Sequence, residues 1–305
     1  RIVEIRSGKG CSHCVERVLD YCYCPGGEVM VMKISVVLPI FTPTPFLRAM
    51  TEFCIRTLRM HADNEFELIV VEAEHRHFDP SQEKGSDWFA REELSLREYG
   101  NNYYRIDKYF NFNPKIGGIK ETNHGIRAAT GDFILTTGND VIVPPHWDTE
   151  LLRCFEERKD CGMAALSAAE PGANIGPSEP LDMIVEGMYS PCNLFRRGWE
   201  YDESYARIYQ DSDLILRMYE AGLRSYRSCR ARVHHLLRMT TDATDKAQHD
   251  AQIGPDEKLF YKRWGKSPLT AFAMMRCGQY HYGQEHQSWT LPIALHFDPI
   301  LDLSH

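Results

Sequence analysis

"GDFILTTGNDVIVPPHW" (Gly131–Trp147) decides how this chain reads. Three apolar residues, Phe133 to Leu135, run into the polar knot Thr136-Thr137-Gly138-Asn139-Asp140, and "VIVPP" follows. A short apolar run halted by Gly and Asn reads as a buried strand ending in a turn. The feature to explain is the lone acid, Asp140, delivered at that strand end.

Working outward, the same grammar repeats. "IGGIKETNHGIRAATG" leads through two glycines into a helix that closes at Gly131. "KISVVLPIF" (Lys33–Phe41) is apolar and β-branched, halted by Pro and Thr, which predicts a buried strand of the parallel type. "PFLRAMTEFCIRTLRMHA" spaces Phe46, Leu47, Met50, Phe53, Cys54 and Leu58 at helical intervals. "FELIVVEAE" reads as a second strand ending in Glu72 and Glu74, Asp148–Arg158 as an amphipathic helix, and "CGMAALSA" as a further strand. Residues 75–110 show no clear period.

This alternation predicts an α/β fold: a mostly parallel sheet with helices on both faces. Ligands in such sheets sit at the carboxyl ends of the strands. The loops "PIFTPTP", "VEAEH" and "TTGNDV" should therefore converge on one crevice. "PGANIGPSEP" reads as a loop within the domain. After residue 240 the pattern weakens to one or two helices and an aromatic, irregular tail.

Composition narrows the classes. The chain has 305 residues, 43% hydrophobic and 26% charged, as in a soluble globular protein with one large domain. No apolar run nears the roughly 20 residues that cross a bilayer, and no secretory signal is visible. A net charge of −8 argues against non-specific nucleic-acid binding, although "RMYEAGLRSYRSCRARVHHLLR" is a basic region against that trend. No G-x-G-x-x-G follows the first strand, which excludes a dehydrogenase.

Six cysteines are scattered, in the manner of reduced core thiols. The other four, Cys11, Cys14, Cys22 and Cys24 in "CSHCVERVLDYCYC", have a zinc-knuckle-like spacing, and four thiolates suit tetrahedral Zn²⁺. Their seven-residue central gap is shorter than common zinc modules use. The sequence opens on Arg, and Met30 or Met32 reads as a start directly ahead of the first strand. Residues 1–29 are thus expected to be a fragment of something longer, or not native to the domain.

Over residues 33–238 the chain resembles the family 2 glycosyltransferases. Five segments carry the resemblance in order: "ISVVLPIF"; "FELIVVEAE"; "GIKETNHGIRAATGDFILTTGNDVIVPPHW"; "NLFRRGWEYDESYARIYQDSDLILRMYEAGLRSY", with its [ED]-D-x-D-L-x-x-R core; and "ARVHH". The resemblance implies a GT-A, Rossmann-like domain over 31–240. A Cys-rich extension over 1–30 precedes it, and a helical or irregular extension over 241–305 follows for acceptor or oligomer contacts, including a homodimer.

The same resemblance suggests what Asp140 is for. The family carries Asp-x-Asp at this strand end, or a reduced form of it. Here Gly138-Asn139-Asp140 keeps only the last acid, which implies that Asp140 alone holds the divalent cation, Mn²⁺ or Mg²⁺. His234 takes the family's imidazole position, with His235 as alternate. Asp211 matches the catalytic Asp and is expected as general base at a helix N-terminus. Asp213, two residues on, reads equally as a cap. The implied donor site comprises Pro39, Phe41, Glu72, Lys120, Asn123 and Asn139, with Glu74 as the alternate acid. Trp147 is a candidate wall that reads more readily as core, and Arg217 a bridge to the acid pair.

The expected activity is inverting transfer of a sugar from a UDP-, GDP- or dTDP-sugar to an acceptor hydroxyl. The expected acceptor is a glycan or lipid-linked glycan of bacterial polysaccharide synthesis, handled in the cytoplasm or peripherally at the inner membrane face. The alternatives are transfer to a modified base in DNA, which the net charge disfavours, and a non-catalytic nucleotide-sugar binder.

Overall fold

The computed structural model describes residues 32–42, 45–73, 105–112, 114–169, 182–188, 190–236 and 246–276. The four N-terminal cysteines and Glu74 lie outside the described residues, as do most of the loops at 75–110 and 171–190.

In chain order the elements are β1 (Ile34–Ile40), α1 (Pro45–His61), β2 (Phe66–Ala73), β3 (Lys108–Phe112), α2 (Gly118–Ala128), β4 (Phe133–Thr137) and β5 (Val141–Ile142). There follow α3 (Trp147–Glu157), β6 (Cys161–Ala169), β7 (Ile184–Glu186), β8 (Cys192–Arg196), α4 (Gln210–Glu220), β9 (Arg224–His235), α5 (Lys246–Trp264) and α6 (Pro268–Arg276). The strands form one sheet in the order β3-β2-β1-β4-β8-β6-β9-β5, with β7 also paired to β9. From β3 to β4 all pairings are parallel. Beyond that the sheet is mixed, because β8 runs antiparallel between β4 and β6 while β6 and β9 are parallel. The carboxyl ends of β1, β2, β4 and β9 consequently open on one edge.

Alternation along each strand feeds two cores. Ile34, Val36, Leu38 and Ile40 of β1 pack with Ile55 and Leu58 of α1 and Trp147 and Leu151 of α3. Val37, pointing the other way, joins Ile126 of α2, Leu214 of α4, Phe260 and Trp264 of α5, and Phe272 of α6. Both faces are covered, which is why β1 is apolar at nearly every position rather than at alternate ones. On α1, Leu47, Met50, Cys54 and Leu58 face inward, whereas Phe46 and Phe53 of the same apolar pattern are exposed.

Two glycines permit the close packing behind the site. At Gly125 an added Cβ would lie 2.7 Å from Val37 Cγ1 and 2.8 Å from Val71 Cγ2, so α2 sits on the sheet at a distance only Gly allows. At Gly131 it would meet the Lys33 carbonyl oxygen and the Ser35 nitrogen, both at 2.7 Å.

A buried charge ties the same corner together. The Glu67 carboxylate accepts from Lys108 Nζ at 2.8 Å, from the Thr130 amide at 2.8 Å and from the Ser35 hydroxyl. Burial by itself would raise this carboxyl, but the Lys108, Ser35 and Thr130 hydrogen bonds outweigh it and hold it at about 2, against an ordinary 4.5. A depressed carboxyl stabilises the fold above its unfolded value and loses that contribution as pH falls through the folded one. Glu67 should therefore contribute about 3 kcal/mol above pH 4.5, lost between pH 4.5 and 2. Urea titrations across that window should show the loss in the wild type and a flattened dependence in Glu67→Gln.

Candidate active site

The β4 strand ends where the sequence reading placed its turn, and Asp140 stands on the open edge. Its Oδ2 lies 3.6 Å from Nε2 of His235, with the two side chains 13% and 21% exposed. The imidazole that meets Asp140 in this structure is His235, where the resemblance pointed to His234. In the β5–β9 ladder His235 sits opposite Val141, next to Asp140, while His234 sits opposite Ile142 and is exposed. Successive side chains on a strand point to opposite faces, so a slip of one residue selects the wrong ring.

Gly138 also has a local reason. A Cβ there would lie 2.6 Å from Asp140 Oδ1, so the carboxylate folds back over the space that a side chain at 138 would fill. Behind the turn, Cys54 Sγ approaches the Gly138 carbonyl at 3.5 Å. Burial, with the charge of Asp140, pushes the Cys54 thiol well above its usual range, and Cys192 is pushed up to about 12 by burial. These are inert core thiols, not metal ligands. Among the described residues no group of three or more His, Cys, Asp or Glu gathers in metal-binding geometry.

One carboxylate and one imidazole suit a cation that takes its remaining ligands from phosphate and water. That fits Mn²⁺ or Mg²⁺ bound together with a diphosphate.

Several expected donor residues turn inward instead. The Asn139 amide donates to Thr51 Oγ1 at 2.8 Å, pinning the turn to α1. Asn123, fully buried, donates to the Tyr201 carbonyl at 2.8 Å and accepts from the Tyr201 amide at 3.0 Å. Glu72 is 1% exposed and accepts from Thr42 Oγ1 at 2.8 Å and from the Tyr109 hydroxyl, which braces the ends of β1, β2 and β3. In this structure all three, expected at the donor, hydrogen-bond within the protein, as buried polar groups do. Trp147 is buried, donating to the Leu58 carbonyl at 3.0 Å, and belongs to the core. Phe41 and Pro39 are half-buried at the β1 edge, and Lys120 is exposed on α2.

The acid pair of α4 divides its labour. Asp213 is 0% exposed and accepts from Arg217 Nε at 2.8 Å, Arg263 Nη1 at 2.7 Å, Trp264 Nε1 at 2.9 Å and the Tyr205 hydroxyl at 3.3 Å. It is a structural anion that fastens α5 to α4. Arg217 serves this acid and the Glu200 carbonyl.

Asp211 is the other acid of the pair. It is half-buried, accepts from Gln210 Nε2 at 3.2 Å, faces the Tyr201 hydroxyl, and is raised to about 6 by desolvation, against the lowering effect of Tyr201. The Tyr201 hydroxyl lies 2.7 Å from Thr136 Oγ1, so the side chain that faces Asp211 is tied to β4, the strand that leads into the Asp140 turn.

The approach to α4 is held from α5. Asp256 accepts from the amides of Ala206, Arg207 and Ile208 at 2.8–2.9 Å, just ahead of Tyr209, whose φ of 66° starts the helix. Nothing in the helical periodicity after residue 240 signals Asp256, Arg263 or Trp264, since their partners lie about 50 residues away. Two arginines of the basic run are paired: Arg224 with Glu186 at 3.8 Å, and Arg230 with Glu150 at 3.5 Å and Asp182 at 3.0 Å.

A family model described as Glycosyl transferase family 2 matches residues 89–197, which include the Asp140 turn and end before α4. No curated protein matches the chain. Among solved structures, the chain is similar to the mannosyltransferase PcManGT from Pyrobaculum calidifontis in complex with GDP-Man and Mn²⁺ (13% identity, 81% of this chain and 69% of that one, TM-score 0.52). It is also similar to GalNAc-T7 with UDP, GalNAc and Mn²⁺ (12% identity, 67% and 44%, TM-score 0.50). S. aureus TarS is 15% identical over 68% of this chain and only 37% of its own, with a TM-score of 0.49. The fold is therefore that of the GT-A glycosyltransferases, and within it residues 89–197 match the family 2 model.

Proposed function

We propose that this chain is an inverting glycosyltransferase that moves a sugar from a nucleoside-diphosphate donor to an acceptor hydroxyl. The observations that carry it are an Asp140–His235 pair at the turn after β4 and, at the start of α4, a half-buried Asp211 whose carboxyl is raised toward neutrality. Asp140 and His235 would hold Mn²⁺ or Mg²⁺, which when bound neutralises charge on the departing diphosphate. Asp211 would take the proton of the acceptor hydroxyl as that oxygen attacks the anomeric carbon. A base near 6 is ionised at neutral pH yet still basic enough to accept a proton.

The complexes of similar fold contain GDP-Man or UDP, which makes GDP- and UDP-sugars the first donors to try. Among the described residues no helix is long and apolar enough to cross a membrane. A glycan or lipid-linked acceptor, met in the cytoplasm or at the inner membrane face, is the substrate class proposed. DNA is disfavoured by the net charge of −8, and two arginines of the basic region that spoke for it, Arg224 and Arg230, pair with Glu150, Asp182 and Glu186.

The test is release of nucleoside diphosphate from UDP-, GDP- and dTDP-sugars with and without Mn²⁺. Metal-dependent turnover of one nucleotide class supports the reading. Stoichiometric binding without turnover of any donor, glycan acceptors included, would favour a non-catalytic binder.

A further inference from the structure

Tyr201 has no place in the chemistry just described, yet it is the most constrained side chain near Asp211. It is 6% exposed. Its backbone is clamped on both sides by the Asn123 amide, and its ring packs edge-on against Phe195 at 6.2 Å. Its hydroxyl stands between Thr136 Oγ1, at 2.7 Å, and the Asp211 carboxylate. An ionised carboxylate only accepts, so with Asp211 charged the Tyr201 hydroxyl would donate toward it and accept from Thr136.

We propose that Tyr201 is a positioning residue that holds the Asp211 carboxylate in register with the Asp140 turn, through one hydroxyl spanning β4 and α4. Thr136 lies on β4, four residues before Asp140 in the turn that follows that strand, and Asn123 of α2 holds the Tyr201 backbone. The acceptor-side acid is thereby referenced to the donor-side strand rather than to its own helix alone. The inference rests on the reading of Asp211 as base.

Among the described residues, Tyr201 is the titratable group facing Asp211 from another element. On its own helix Gln210 donates to it without titrating, and Asp213 is turned away to Arg217, Arg263 and Trp264. A chain of two hydroxyls strengthens each link and favours the charged form of the carboxylate at its end. Removing either hydroxyl should make Asp211 harder to ionise.

The experiment uses Tyr201→Phe and Thr136→Val, a volume-conserving pair of changes that delete one hydroxyl each. Two readouts are taken on the full chain: the titration of the Asp211 carboxyl by ¹³C NMR, which needs no substrate, and the pH dependence of kcat. Tyr201→Phe should shift the titration upward and lower kcat by about 10- to 100-fold, with donor KM unchanged. Thr136→Val should give a smaller shift of the same sign, and decides the matter if Tyr201→Phe does not fold. An unmoved titration in the folded variants, whatever their melting temperature, overturns the proposal. A moved titration beside an unchanged pH–rate profile upholds the coupling and overturns the assignment of Asp211 as base.

Discussion

Replacing Asp211 by Asn is expected to lower turnover by about 10²–10⁴-fold while the protein melts at the same temperature or higher. The two halves of this result have one cause. The Asp211 carboxyl is raised from 3.8 to about 6 by desolvation, so keeping it ionised at neutral pH costs the folded state free energy. Because its folded value lies above its unfolded one, the fold is favoured below the unfolded value and loses that advantage as pH rises through about 6. Asn removes this penalty, still accepts from Tyr201, and cannot take a proton. In the wild type the acid limb of kcat should have an apparent pKa near 6 and fall about tenfold per pH unit below it. An Asp211→Asn variant that turns over at the wild-type rate would remove the base from the account.

The neighbouring acid should behave in the opposite way. Asp213→Ala is expected to destabilise the fold by about 3–5 kcal/mol, the range seen when one partner of a buried ion pair is removed. Asp213 accepts from two guanidinium groups, an indole and a phenol, and the variant leaves all four donors without that acceptor. The loss should spread, because Arg263 and Trp264 are where α5 meets α4. Asp256 of the same helix then loses its hold on the amides at 206–208. Urea unfolding should show a lower midpoint, and limited proteolysis should cut α5 first. A stability change under 1 kcal/mol would mean that α5 is held elsewhere. On the proposed reading the two carboxylates should separate: Asp211 dispensable to the fold and needed for turnover, Asp213 needed by the fold.

Much of this was legible in the sequence, and the failures have a common cause. Local periodicity marked β1, α1, β2, α2, β4, α3 and β6, because each carries its own pattern of 2, 3.6 or unbroken burial. The turn at Asp140 and the acid pair of α4 were visible as chemistry standing at the ends of such elements. What sequence could not give was pairing. The choice between His234 and His235 depends on a ladder register with β5, about 93 residues earlier in the chain. Asn123, Asn139 and Glu72 carry the residue types of ligand contacts, and only tertiary burial shows that the protein itself consumes their hydrogen bonds. The β3 strand has a half-buried, aromatic sequence without alternation, so it lacked the signal that betrayed β1.

The most direct test of the central claim is calorimetric titration of a nucleoside diphosphate into the protein with and without Mn²⁺. Wild type, Asp140→Ala, His235→Ala and His234→Ala should be compared side by side. The account predicts Mn²⁺-dependent binding that Asp140→Ala abolishes, that His235→Ala weakens and that His234→Ala leaves unchanged. Binding that persists in Asp140→Ala with the same metal dependence would contradict it, and the lone acid at the end of β4 would not be the donor's metal site.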